Sequence, residues 1–271
     1  MNLSASALLQ ARSIYALILR KIRTDYAGSR AGYAWAIIEP IVWVFVLRLA
    51  IKHNSAATIP PIGTSFEVFF TTGIVLARTW RAACSKIVAI LVRAKPERLP
   101  TLHRMDSICA TLILEILTGA VALTIMLCLF QAFGYDAVPY NLTICILAFV
   151  LCGVFALSFG LTFAMINILA PGIDHFRGIF FLIMFFTSGF SFVVDRMPAA
   201  LRQVVTWNPL LHIIEFFREG FYRGYECRSL SLIYLMGFIV ATLLIGAAGE
   251  RALRRHTRKT DGAGEEDVEM A

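Results

Sequence analysis

The chain has 271 residues, 58% hydrophobic and 16% charged, with a net charge of +7. Soluble domains carry roughly 25% charge, so this composition excludes a sizeable soluble domain and points to a polytopic membrane protein. The positive balance reads as cytoplasmic flanks that orient the chain in a bilayer rather than as a nucleic-acid surface.

In chain order, residues 6–31 are not a span. Leu9, Ile14, Leu17, Ile18 and Ile22 alternate with Arg12, Arg20, Lys21 and Arg23, the pattern of an amphipathic helix lying in the cytoplasmic interface. No small-residue cleavage site follows, so a removed secretory signal is not expected. Six spans are expected after it, at residues 33–51, 66–92, 107–133, 141–169, 178–194 and 230–248. A crossing helix takes roughly 20 apolar residues. The expected fold class is therefore an all-α integral membrane protein with a single transmembrane domain over 1–271. It comprises the interfacial helix (1–32), a six-span bundle (33–250) and a cytoplasmic tail (251–271) whose acidic "GEEDVE" composition suggests disorder. Re-entrant or interfacial helices are expected between spans five and six.

Lys and Arg set the orientation. They concentrate before the first span, in the loop after the second (Arg93, Lys95, Arg98, Arg104) and in the tail (Arg251, Arg254, Arg255, Arg258, Lys259). By the positive-inside rule these sides are cytoplasmic, with both termini inside. Six cysteines, five of them in or beside apolar runs at no metal-binding spacing, read as small hydrophobes.

The second span carries charge where lipid is expected. Arg78, Arg81 and Lys86 fall at offsets 0, 3 and 8, on one helical face. At 1.5 Å per residue Arg78 sits about 18 Å from the outer end. A cation in hydrocarbon costs about 3 kcal/mol, so these residues must face protein or water. Glu115 in the third span lies at a comparable depth and is a candidate partner. Two arrangements stay open: a buried ionic network, or a cationic translocation path formed by Arg78, Trp80, Arg81, Lys86 and Glu115. Trp35 and Trp43 suit an interfacial belt.

The stretch Trp207–Gly224, "WNPLLHIIEFFREGFYRG", places Asn208 as an N-cap and Pro209 in the first turn of a helix. Leu210, Ile213, Ile214, Phe217 and Phe221 then make one stripe. His212, Glu215, Arg218 and Tyr222 make another. The helix is too charged to span. It reads as an interfacial or re-entrant outer gate, or as a surface connector that only ties span five to span six. Gly220 and Gly224 suit close packing or a helix end.

Three motifs resemble the permease subunits of polysaccharide-exporting ABC transporters. The first is "RTDYAGSRAGYAWAIIEP", with Arg23, Tyr26, Ser29, Arg30, Gly32, Trp35, Glu39 and Pro40 at the family's positions. The second is the stretch above, through Asn208, Pro209, His212, Glu215 and Arg218, and the third is "LHRMDSICATLILE". The capsule-polysaccharide branch is the closer one. The resemblance implies a homodimer with two copies of a cytoplasmic ATPase, in the bacterial inner membrane. Such a complex passes a lipid-linked polysaccharide outward toward periplasmic or outer-membrane export components. The loop with Lys95, Pro96, Glu97, Arg98, Leu99, Pro100 and Arg104 resembles the segment that couples to the ATPase. No G-x-x-x-x-G-K-[ST] loop is present, so ATP and Mg are expected in the partner, with no cofactor, metal or nucleic acid bound by this chain. The cationic path suggests an anionic polymer. O-antigen and teichoic-acid-like polymers are the alternatives. A membrane-embedded enzyme using His212 and Glu215 is the rival of another class, but no H-E-x-x-H or G-x-S-x-G accompanies them. A channel or proton-driven transporter lacks an acidic relay through several spans.

Overall fold

The structure, a computed structural model, describes residues 12, 14–22, 38–39, 41–46, 48–49, 60–93 and 104–269, with the backbone alone at 93, 104, 171 and 252–269. Among these residues every regular element is a helix. The principal helices are α1 (Phe66–Arg93), α2 (Arg104–Ala132), α3 (Leu142–Leu169), α4 (Asp174–Phe186), α5 (Ala199–Val205), α6 (Pro209–Phe221) and α7 (Leu232–Glu269). Residues 14–22 and 41–46 are also helical.

Among the described residues three helical segments are long and apolar enough to cross a membrane: Met105–Ala132, Leu142–Leu169 and Leu232–Arg251. Helix α1 has 28 residues, about 42 Å at 1.5 Å each. That is ample length, but Glu67, Arg78, Arg81 and Lys86 interrupt its apolar face. It packs between α2 and α3, and α3 in turn packs on α6 and α7. Helix α3 is apolar on all sides and buries residues on each of them, the pattern of a helix enclosed by neighbours.

The α3–α7 seam is built from small residues, which let helix backbones approach in a bilayer. A Cβ on Gly246 would lie 2.7 Å from Leu161 Cβ and 2.9 Å from Thr162 N. Thr242 Oγ1 lies 3.1 Å from Ser158 Oγ, and Thr162 Oγ1 donates to the Thr242 carbonyl. Opposite this seam, Trp80 of α1 stacks on Phe155 of α3, with ring centroids 5.5 Å apart. Phe159 and Phe181 close around the indole.

One expectation is corrected here. A fifth span at 178–194 is replaced by the 13-residue α4, which ends at Phe186. It is about 20 Å long, short of the roughly 30 Å hydrocarbon core. The cause is local. The Thr187 and Ser188 hydroxyls bond back to the carbonyls of Ile183 and Phe185, and Gly189 takes φ +81°, a backbone conformation that suits glycine. The chain therefore reverses after α4 into the 3-10 turn Val194–Arg196. The backbone of α7 continues as helix to Glu269. Extending a helix already nucleated by the apolar segment fixes one residue per hydrogen bond, and "ERALRR" is rich in helix-forming residues.

Candidate functional site

Helix α6 begins and ends where local chemistry dictates. Asn208 Oδ1 accepts from the Leu210 N–H at 2.9 Å, and Pro209 occupies the first turn. Asn208 also does a second job. Its Nδ2 donates to the Met184 carbonyl at 2.7 Å and to Thr187 Oγ1 at 2.8 Å, so the start of α6 is tied to the end of α4.

The far end of α6 is tied to the same reversal. Arg218 Nη1 donates to the carbonyls of Gly189 (2.8 Å) and Phe192 (3.1 Å), and Nη2 to that of Phe190 (3.0 Å). The guanidinium also lies 4.1 Å from the ring centroid of Phe69 in α1, a cation–π contact. Its counter-ion is Glu215, 3.2 Å away, and both side chains are 0% exposed. The second Glu215 oxygen accepts from the Tyr225 hydroxyl at 2.6 Å. A single buried network thus holds the α4–α5 turn, α6 and the segment after α6 in one arrangement.

Of the two settings expected for this helix, interfacial or re-entrant, the structure does not show an interfacial helix with an outward polar stripe. Residues on every face of α6 are buried. The charged stripe points inward because it supplies donors and acceptors to the broken backbone after α4, which otherwise has no helical partner at membrane depth. Gly220 accounts for part of that burial. A Cβ there would meet Ile144 Cβ at 2.7 Å, and its carbonyl accepts from the Asn141 N–H at 2.7 Å, so α6 lies directly on the start of α3. Gly224, at φ +73°, turns the chain after α6.

His212 has both ring nitrogens engaged. Nε2 lies 2.9 Å from the Thr206 carbonyl, and Nδ1 lies 3.2 Å from the Ser231 N–H. Only the neutral tautomer with the proton on Nε2 satisfies both contacts. Neither nitrogen is left for a metal or for proton transfer, and no group of metal-binding side chains occurs among the described residues. Nearby, Asp195 accepts from the Arg228 N–H at 2.7 Å and from Ser229 Oγ.

The cationic face of α1 is resolved into pairs. Lys86 Nζ lies 2.5 Å from Glu115 Oε1, joining the two residues that depth alone suggested. Arg78 has a partner that sequence reading assigned to a different role: Glu39 receives Nε at 3.1 Å and also Nη2. The bidentate form explains an Arg here, since only a planar fork makes two parallel bonds to one carboxylate. A third pair, Arg48 with Glu67 at 3.1 Å, lies nearer the start of α1. Arg81 has no ion pair among the described residues. Trp80 sits about 200° round the helix from Arg78, and its indole is fully buried among Phe155, Phe159 and Phe181.

Of the remaining expected site residues, Arg23, Tyr26, Ser29, Arg30, Gly32, Trp35 and Pro40 lie outside the described residues, as do Lys95, Pro96, Glu97, Arg98, Leu99 and Pro100. Arg104 is the first residue of α2. A direct check on the pairing is a charge exchange. Arg78→Glu and Glu39→Arg are each expected to lower the yield of monodisperse protein after detergent extraction, and the double exchange to restore it. Size-exclusion profiles of the three variants measure this. A double exchange no better than the single changes would mean that the pair does not hold 38–49 against α1.

Comparison with known proteins gives a consistent result. A family model described as "ABC-2 type transporter" matches residues 12–222. The chain is 30% identical over 242 residues to the polysialic acid transport protein KpsM of Escherichia coli, covering 89% of this chain and 93% of that one. It is 27% identical to the capsule polysaccharide export inner-membrane protein CtrC of Neisseria meningitidis serogroup B, over 80% and 82% of the two chains. Against the capsule polysaccharide export inner-membrane protein BexB of Haemophilus influenzae it is 26% identical, over 89% and 91%.

Proposed function

The chain belongs to the ABC-2 type transporter family, and on that premise we propose that it is the permease of an exporter moving a lipid-linked, anionic capsular polysaccharide outward across the bacterial inner membrane. The observation that carries this reading is likeness over nearly the whole chain to relatives named for polysialic acid transport and capsule polysaccharide export. It is a transport protein, not an enzyme. The committed nitrogens of His212 agree with that.

In this reading six segments cross the membrane. They are the helix that includes 38–49, then α1, α2, α3, the α4 hairpin completed by its turn and α6, and the apolar part of α7. Both termini are cytoplasmic, two copies form the conduit, and two ATPase subunits bind ATP and Mg. The loop between α1 and α2 and the amphipathic N-terminal segment receive the ATPase. The α4–α6 reversal closes the outer end of the path, and Arg81 on α1 faces the polymer. Periplasmic or outer-membrane components receive the product.

The deciding experiment is reconstitution. Co-expressed with the ATPase subunit from the same gene cluster, the chain is expected to co-purify with it and to raise its ATP hydrolysis. Deleting the chain is expected to trap capsular polymer inside the cell. Trapping of an O-antigen or a teichoic-acid-like polymer instead would move the substrate to that class. Turnover of a lipid or glycan by the purified chain without any ATPase would overturn the reading.

A further inference from the structure

An open cleft of about 320 Å³ lies between α5, Thr206 and the start of α7, lined among others by Arg202, Gln203, His212, Ser229, Ser231 and Tyr234. It is separate from the ion pairs of α1 and from the Glu215–Arg218 network. At about 30 Å³ per water it has the volume of roughly ten waters, room for a sugar ring.

Its walls are fixed. His212 bridges them through Thr206 and Ser231, Ser229 is held by Asp195, and the Tyr234 hydroxyl donates to the Trp207 carbonyl at 2.6 Å. These contacts set the cleft's shape and leave particular groups for a ligand. Arg202 has no ion pair among the described residues and is only half-buried. The Gln203 amide is exposed. Ser231 Oγ accepts from the Tyr234 N–H at 3.3 Å and keeps its own proton to donate.

We propose that this cleft is a binding subsite for an acidic sugar unit, in which Arg202 takes the sugar carboxylate and Gln203 and Ser231 take ring hydroxyls. The assignment follows from the combination. A guanidinium recognises a carboxylate, and neutral amides and hydroxyls recognise sugar hydroxyls. A lipid phosphate would use the cation but would leave the amide and hydroxyl without a role. The proposal rests on the permease reading and deepens it. With both termini cytoplasmic the cleft lies at the outer end, where it holds emerging polymer.

The test uses the permease–ATPase complex in discs of zwitterionic lipid, with a short sialic acid oligomer as probe and the same oligomer with its carboxyls reduced to alcohols. Wild type is expected to prefer the acidic oligomer. Arg202→Gln is expected to weaken that binding about tenfold, the worth of one charge-assisted contact, and to leave the reduced oligomer within about twofold. Arg202→Lys keeps the charge and is expected to retain most of the preference. Gln203→Ala is expected to weaken both oligomers alike. Equal binding of the two oligomers by wild type, or an unchanged preference in Arg202→Gln, overturns the subsite. In a parallel set of discs that contain an anionic phospholipid, loss of bound anionic lipid in Arg202→Gln with sugar binding intact also overturns it, and would assign the cleft to a headgroup. In each of these cases a complex that still exports polymer leaves the permease reading standing. A chain that neither assembles with the ATPase nor exports fails that reading instead.

Discussion

Replacing Arg218 with leucine is expected to destabilise the detergent-solubilised protein by about 3–5 kcal/mol and to abolish export. Breaking a buried ion pair from one side costs about that much, because a charge is left without compensation. Here the loss is larger than one pair. Glu215 would keep only the Tyr225 hydroxyl, the carbonyls of Phe190 and Phe192 would lose their donor, and that of Gly189 would keep only the Phe192 N–H at 3.4 Å. Those three carbonyls lie in the turn where the α4 helix has stopped, so no helical N–H replaces the guanidinium. Glu215→Gln is expected to be milder, about 1–3 kcal/mol, since the amide oxygen can still accept from Tyr225. Thermal melting in detergent and surface polysaccharide measured on cells give the two readouts. An Arg218→Leu protein that melts with wild type would show that the network does not hold the reversal.

Gly73→Ala supplies the second large effect, and its sign separates two explanations. In a helix interior alanine is favoured over glycine by about 1 kcal/mol, so propensity alone expects a more stable protein. The tertiary structure expects the opposite. A Cβ at position 73 would stand 2.6 Å from Phe190 Cα and 2.9 Å from the Phe190 carbonyl oxygen. Both belong to backbone, which cannot rotate away, and that carbonyl is the one Arg218 Nη2 holds. Overpacking costs about 1–3 kcal/mol, and here it also pushes the α4–α5 turn off α1. Gly73→Ala is therefore expected to lower the melting temperature and to reduce export. A raised melting temperature would mean that the turn yields without cost.

How much of this was legible in the sequence differs from element to element. The α6 boundaries were legible, because Asn208 and Pro209 act on backbone groups within two residues of themselves. The second and third of the spans that the structure bears out by length and composition, 141–169 and 230–248, were legible from run length, with ends displaced by only a few residues. The α4 break was not. "FFLIMFFTSGFSFVV" is apolar throughout, and hydropathy does not register that Thr187, Ser188 and Gly189 stop the helix. The Lys86–Glu115 pair was legible because both sit at one depth on neighbouring spans. Arg78 was not matched to Glu39, since Glu39 had already been read as part of a family motif, and a residue's motif role does not exclude a structural one.

The sequence by itself determined that this is an all-helical membrane chain, where its longest apolar helices lie, how α6 begins, and to which transporter family it is related. These follow from apolar run length, from capping chemistry and from residue order, all properties of near neighbours along the chain. Only the tertiary structure decided that α6 is buried on every face, that its charges point inward to hold a broken helix end, and which carboxylates answer Arg78 and Lys86. Those outcomes join groups far apart in sequence, 39 residues for Arg78 and Glu39 and 29 for Lys86 and Glu115. In a low-dielectric interior each buried charge or open carbonyl needs a partner, but which partner it finds depends on where the helices cross.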